Sequence, residues 1–378
     1  MSKFIPLSVP NLCGNEAAYC QKAIASEWVS TGGAYITEFE EKIAAYVGTP
    51  GAVACQSGTA GLHLALLSCG VGQNDEVLVP TLTFIAAVNP VKYVGAEPVF
   101  MDCDDTLCMD MQKVERFCET ECAMTPEGLL DKATGRYVRA MLVVHVFGNL
   151  ADLDKAAALA EKYDLALIED ATEALGSRYL SGRFAGRFAG TVGKVGVYSF
   201  NGNKIITTGG GGMLVSGDEA ILREAKYLST QAKDDTLYFV HNHIGYNYRM
   251  TNLQAALGLA QLEKLEDFIR VKAENYRAYF ENGIELLPFR DDIRTNHWFY
   301  SFMTDRRDEL IRALSERSIQ SRPVWHLIAD LPPYQNCRAY EIARAKYYWQ
   351  HIVNLPCSTN LTKEDVAVVA KAVHDILK

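Results

Sequence analysis

The feature that most constrains this chain is an alternation of texture through its first two thirds. Short, nearly continuous apolar runs, "DEVLVP", "EPVFMD", "VRAMLVVHVF", "DLALIED" and "KVGVYSF", are separated by segments of helical periodicity such as "LADLDKAAALAEKY". A strand that is apolar on both faces needs cover on both faces, and an amphipathic helix between strands supplies it. The pattern predicts an α/β domain with a mostly parallel central sheet. Around residue 250 the texture changes to "TNLQAALGLAQLEKLEDFIRVKAENYRAYFEN", where Leu253, Leu257, Leu262, Leu265 and Ile269 keep roughly helical spacing. With no proline or glycine pair to stop it, this reads as one long helix joining two bodies, a large domain over 1–250 and a smaller α/β domain over 251–378.

Composition narrows the partners. A chain of 378 residues with 49% hydrophobic content buries a substantial core. Its formal charge of −9, with no Lys/Arg stripe interleaved with aromatics, argues against nucleic acid. The opening "MSKFIPLSVPNLCGNE" has too short an apolar stretch for a signal peptide, and no run reaches the roughly 18 apolar residues of a membrane span. The expectation is a cytoplasmic protein without membrane contact. Ten cysteines lack C-x-x-C pairs and Cys/His ligand spacing, so inert thiols and no metal site are expected.

Three fragments carry chemistry. In "SFNGNKIITTGGGGMLVS", Lys204 stands ahead of four glycines, 209–212. A phosphate loop of the Walker type needs its glycines before the lysine and Ser/Thr after it, and here Ile205 follows. Glycines that let backbone pass close to a bound group leave two readings for Lys204, a lysine pointing into a site or an ordinary solvated one. In "LALIEDATEALGS", Glu169 and Asp170 end an apolar strand, where open α/β sheets place ligands; the bland reading is Asp170 as the cap of a helix "ATEAL". In "CQSGTAGLHLALLSCG", Ser57, Gly58 and Thr59 open a helix, which suits either a phosphate or plain capping.

Taken in order, "SGTAGLHLAL", "PTLTFIAAVNPV", "VVHVFGNLADL", "IEDATEALGS", "VYSFNGNKIITTGGGGM", "GYNYRMTNLQAALGLAQL" and "NLPCSTNLTKED" resemble the DegT/DnrJ/EryC1/StrS sugar aminotransferases. The resemblance implies the pyridoxal-phosphate-dependent transferase fold of type I (aspartate aminotransferase-like), with a smaller C-terminal α/β domain. It implies that Lys204 binds pyridoxal 5'-phosphate as a Schiff base and that Asp170 pairs with the pyridinium nitrogen. Gly58, Thr59 and Ser199 would hold the phosphate, Phe84 would stack on the ring, and Glu173 would lie near the phenolic oxygen. For Phe84 the residue-level alternative is core, given Leu82, Ile85 and Val88 around it. Asn247 would reach the phosphate from a neighbouring subunit, which implies a homodimer with composite sites. Two positions depart from many members: Lys194 where Asp is common, and Gly210 where Glu is common. Both are expected to affect local packing or substrate choice. Another branch of the family has histidine in place of the lysine, and Lys204 argues against it.

The resemblance further implies amino transfer from glutamate to a nucleotide-linked 4-keto-6-deoxy sugar. The segments "IPLSVPNLCGNE", "TGGAYITEFEEK" and "SRPVWHLIADLPPYQNC" are most similar to enzymes of legionaminic-acid and related pathways, which points to UDP-4-keto-6-deoxy-N-acetylglucosamine. The alternatives are amination at C3, or a GDP- or dTDP-linked sugar. Trp28, Arg249, Arg322 and His326 are candidates for sugar or diphosphate contact, with core, salt-bridge or loop roles as the plain alternatives. A non-catalytic cofactor-binding regulator would need a DNA-binding module, and no basic helix-turn-helix segment is visible. A nicotinamide oxidoreductase would need a G-x-G-x-x-G turn after the first strand, which is absent.

Overall fold

The computed structural model describes residues 3–378. Helices α1 (Glu16–Ala25) and α2 (Ala34–Val47) precede strand β1 (Gly51–Cys55) and helix α3 (Gly58–Ser68). There follow β2 (Asp75–Pro80), α4 (Asn89–Tyr93), β3 (Glu97–Met101), α5 (Met111–Thr120), β4 (Cys122–Thr125), β5 (Gly128–Asp131), β6 (Tyr137–Val144) and α6 (Leu153–Lys162). Then come β7 (Ala166–Asp170), β8 (Arg178–Tyr179), β9 (Val195–Ser199), β10 (Gly212–Ser216) and α7 (Glu219–Ser229). The main sheet runs β1-β10-β9-β7-β6-β2-β3. Neighbours from β9 to β3 are parallel, and β10 runs antiparallel to both β1 and β9. Every residue of β7, β9 and β10 is buried, so these strands need apolar side chains on both faces, as their sequences supply. Strand β2 coincides with "DEVLVP" residue for residue.

Two sequence-based expectations are corrected here. The stretch after residue 250 is not one helix but two, α8 (Asn252–Leu262) and α9 (Leu265–Glu281). The break follows from tertiary hydrogen bonds. Glu263 accepts from Asn15 Nδ2 at 2.8 Å and the Tyr19 hydroxyl at 2.6 Å, and Gln261 Nε2 donates to the Asn11 carbonyl at 2.9 Å. These fix the end of α8 to the N-terminal segment, and α9 starts after the two linking residues Glu263 and Lys264. The second correction concerns "ATEAL", which forms turns rather than a helix. The carbonyls of Glu173 and Leu175, which a helix would use internally, instead accept from Asn296 Nδ2 at 2.9 and 3.0 Å.

Beyond α9 lie β11 (Ile293–Arg294), β12 (Tyr300–Met303), α10 (Arg307–Glu316), β13 (Arg322–Pro323), β14 (Ala339–Tyr340), α11 (Arg344–His351), β15 (Ile352–Leu355) and α12 (Lys363–Leu377). A separate antiparallel sheet has the order β12-β15-β13. Chain crosses between the two regions in both directions. Ile5 bridges Ile319, and the Cys357 amide donates to the Leu7 carbonyl at 2.7 Å. In return β14 adds to the edge of the main sheet, parallel to β3. All cysteines among the described residues are free, and no helix there is long and apolar enough to cross a membrane.

One carboxylate joins the two regions. Asp102, just past β3 and fully buried, accepts from the amides of Ala343, Arg344 and Ala345 at 3.0, 2.9 and 2.7 Å. It thereby caps α11, which has no capping side chain of its own. Lys113 Nζ completes the pair at 2.6 Å. Burial alone would raise the Asp102 carboxyl, but Lys113 and the three amides outweigh it and hold it below the ordinary aspartate value. A depressed carboxyl stabilises the fold fully above the unfolded value near ~4, and that contribution fades as pH falls further. Asp102→Ala should cost about 3 kcal/mol or more in denaturant unfolding, because three buried amides and an ammonium lose their acceptor. Asp102→Asn should remove this share of the acid dependence. Native-like stability of Asp102→Ala would contradict the capping role.

Candidate active site

The strand period places two adjacent acids on opposite faces of β7. Glu169 turns into the protein and is fully enclosed, accepting from the amides of Gly190 and Val192 at 2.7 Å each and pairing with His145 Nε2 at 2.8 Å. Burial would raise its pKa, but His145 and the loop amides outweigh that and hold it low. Asp170 turns the other way, into a cavity of about 310 Å³ at the carboxyl ends of β7 and β9. Its carboxylate accepts from the Thr172 amide at 3.0 Å, and burial pushes its pKa up.

Lys204 enters the same cavity from the loop joining β9 to β10. The loop's glycines permit close approach at two points. Gly211 has φ +144°, and a Cβ there would lie 2.3 Å from Thr208 Oγ1. A Cβ on Gly212 would lie 2.6 Å from the Ser57 carbonyl carbon, so β10 begins directly against the start of α3. The Lys204 Nζ lies 3.7 Å from Glu173 Oε1 and 4.1 Å from the centre of the Trp298 ring. Burial pushes its pKa down, opposed by Glu173 and Asp170. Glu173 Oε2 accepts from the Phe147 amide at 2.8 Å, and burial pushes its carboxyl up to about 7 against the Lys204 charge.

The far wall is the start of α3. Ser57 accepts from the Ala60 amide at 3.0 Å, and the first-turn amides of Gly58 and Thr59 have no acceptor within the helix. A Cβ on Gly58 would come within 2.9 Å of Thr172 and 3.0 Å of Ser199, so only glycine fits between those side chains. Phe84 is 51% exposed at the cavity, so its ring is not part of the core. Beside it, the buried Thr83 Oγ1 has no hydrogen-bond partner among the described residues.

Gly58, Thr59, Phe84, Asp170, Glu173, Ser199 and Lys204 thus surround one cavity. The remaining candidates lie outside its lining. Asn247 is exposed and bridges Thr230. Arg249 is buried in an ion pair with Glu40. Trp28 is exposed, its carbonyl accepting from Asn252. Arg322 is exposed on β13, and His326 packs against Trp349 with ring centres 4.6 Å apart. Of the two positions that depart from the family pattern, Gly210 lines the cavity and Lys194 is exposed outside it.

Sequence reasoning missed Thr172, Trp298 and Trp325, which also line the cavity. The signal available was weak. Trp298 and Trp325 lie far along the chain in the C-terminal region, and only folding brings them to the ends of β7 and β9.

A buried amine whose proton is loosened, set beside acids, can act as a nucleophile and as a proton carrier. Asp170, buried with lone pairs directed at the cavity, suits a cationic ring nitrogen. The crowded glycine and open amides at the start of α3 suit a phosphate. These residues fit pyridoxal 5'-phosphate.

Comparison with known proteins agrees. The family model described as the DegT/DnrJ/EryC1/StrS aminotransferase family matches residues 10–374. GDP-perosamine synthase of Escherichia coli O157:H7 is 35% identical over 380 residues, covering 99% of this chain and 98% of that protein. The enzyme of the same name from Caulobacter vibrioides is 35% identical over 386 residues, covering 99% and 98%. Among solved structures, the aminotransferase TlmJ of Streptoalloteichus hindustanus superposes with a TM-score of 0.88 at 27% identity, covering 99% of both chains. S. venezuelae DesV, solved in complex with a ketimine intermediate, has a TM-score of 0.84 at 28% identity, covering 96% of this chain and 94% of that one. The chain belongs to the DegT/DnrJ/EryC1/StrS aminotransferase family and is a pyridoxal-phosphate-dependent enzyme.

Proposed function

We propose that this enzyme transfers an amino group from glutamate to the keto carbon of a nucleotide-linked 4-keto-6-deoxy sugar, for synthesis of a surface glycan or nonulosonic acid. The observation that carries the reading is the Lys204 amine, held between Glu173 and Trp298 in the cavity that Asp170 enters from β7. When bound there, pyridoxal phosphate supplies an electron sink and a carrier for nitrogen between the two substrates. Lys204 would hold the cofactor through its amine and, as a free amine, would move the proton at the α-carbon of the donor. Asp170 keeps the ring nitrogen charged, and its burial strengthens that pairing. Gly58, Thr59 and Ser199 would hold the phosphate, and Phe84 and Glu173, which line the same cavity, would hold the ring.

Two nucleotides have specific support. The N-terminal segments and "SRPVWH" favour UDP, as in the legionaminic-acid type of enzyme. Relatives named GDP-perosamine synthase, at 35% identity over nearly the whole chain, favour GDP. Incubation with glutamate and each of the UDP-, GDP- and dTDP-linked keto-sugars, followed by NMR, should give one aminated product with nitrogen at C4. Nitrogen at C3 would overturn the regiochemistry.

The second copy of the chain completes the site. Asn247 is exposed outside its own cavity, and the segment before it carries Leu237, Tyr238, Phe239 and Ile244 at 72, 76, 68 and 86% exposure, an apolar surface that needs cover. Mixing inactive Lys204→Ala with inactive Asn247→Ala under conditions of subunit exchange should restore activity, because hybrids contain one intact composite site. An active Asn247→Ala would remove Asn247 from the site, and no recovery in verified hybrids of the inactive variants would place it in its own chain's site.

Lys204→Ala should lower turnover by roughly a hundred- to ten-thousandfold, read as 2-oxoglutarate release. Borohydride reduction and peptide mapping should find the pyridoxyl group on Lys204. Native turnover in the variant, or an adduct on another lysine, would overturn the assignment.

A further inference from the structure

Trp298 touches the Lys204 segment twice. Besides the 4.1 Å contact of the Lys204 ammonium with its ring face, the indole Nε1 donates to the Asn203 carbonyl at 2.7 Å. The indole is 3% exposed and packs edge-on against Phe299, with ring centres 4.3 Å apart. Its backbone is fixed as firmly. The Trp298 amide donates to Asn296 Oδ1 at 3.0 Å, and its carbonyl accepts from the buried Lys272 Nζ at 2.9 Å. Asn296 Nδ2 in turn holds the carbonyls of Glu173 and Leu175. One asparagine side chain therefore sets the spacing between Glu173 and Trp298, the two groups that flank the lysine.

The charged groups facing Lys204 are Glu173 and Asp170. Lys272 lies behind the Trp298 backbone, its ammonium committed to the Trp298 and Cys357 carbonyls. At 3.7 Å, Glu173 is beyond direct hydrogen-bond distance from the amine. An ammonium withdrawn from water needs a partner, and the negative face of an indole supplies one that leaves the amine free to react.

We propose that Trp298 is a positioning residue for Lys204: its face receives the released ammonium and its ring N–H anchors the loop that carries the lysine, so the amine keeps one position between its covalent states. This rests on the reading that Lys204 is the reactive amine.

The test uses the full chain stripped of cofactor, with Lys204 acylation by acetic anhydride followed by peptide mass spectrometry across pH. Biosynthetic replacement of tryptophan by mono- and difluorotryptophan drains the ring face while keeping its shape, and of the four tryptophans Trp298 is the one with its face on Lys204. Below the lysine's titration, acylation should quicken progressively with fluorination. In Trp298→Met it should quicken by roughly two- to thirtyfold, and in every form the difference should vanish at alkaline pH, where the amine is neutral throughout. Trp298→Phe keeps an aromatic face and should stay near the native profile, with faster amide exchange across Asn203 and Lys204. An unchanged profile across the fluorinated series would overturn the proposal, as would an acceleration that persists at alkaline pH, which reports access alone. Borohydride mapping of the cofactor-loaded protein tests the underlying reading separately, since an adduct elsewhere would defeat that reading without altering the acylation result.

Discussion

The buried carboxylate of Glu169 is the interaction on which the site's geometry depends. It ties the loop from Gly190 to Gly193 and the His145 ring to the carboxyl end of β7. Because a strand alternates its faces, fixing Glu169 on one side fixes Asp170 on the other. A charge enclosed in this way is tolerable only because each oxygen has donors. The same saturation leaves Glu169 no capacity for a ligand. Of two adjacent acids with similar sequence prospects, one is spent on the fold and the other lines the cavity.

The cavity opposes that order with incomplete satisfaction. Asp170 and Glu173 are buried with raised pKa values, Lys204 is buried with a lowered one, and Thr83 Oγ1 has no partner among the described residues. Clustered perturbation of this kind marks a functional site, because the strain is relieved only when something charged and polar enters. Shape and charge agree: acids and the amine line one wall, and a glycine-lined helix start forms another.

Much of this was legible in the sequence. "DEVLVP" and "DLALIED" announce β2 and β7 because fully buried parallel strands cannot alternate. The spacing of Lys204 from its glycines excluded a phosphate loop on local grounds. What stayed hidden was whatever depends on distant partners. No residue between Leu262 and Leu265 marks the helix break, which Asn15 and Tyr19 impose from the other end of the chain. "ATEAL" has helical propensity, but Asn296 claims its carbonyls. Phe84 sits among apolar neighbours in the sequence and yet emerges at the cavity, since the chain turns into a short 3-10 segment at that point. Trp298 and Trp325 reach the site only through the packing of the C-terminal region.

The crossing of chain between the two regions bears on synthesis. The edge strand β14 and the Asp102-capped helix α11 follow β3 by more than 200 residues, while Ile5 and Leu7 pair with residues from 318 onward. A nascent chain on the ribosome must therefore keep the β3 edge and the segment around Ile5 unpaired until the region beyond residue 318 has been made. Long-range closure of this sort slows folding and leaves an open strand edge exposed in the interim, which is the interval in which chaperones bind.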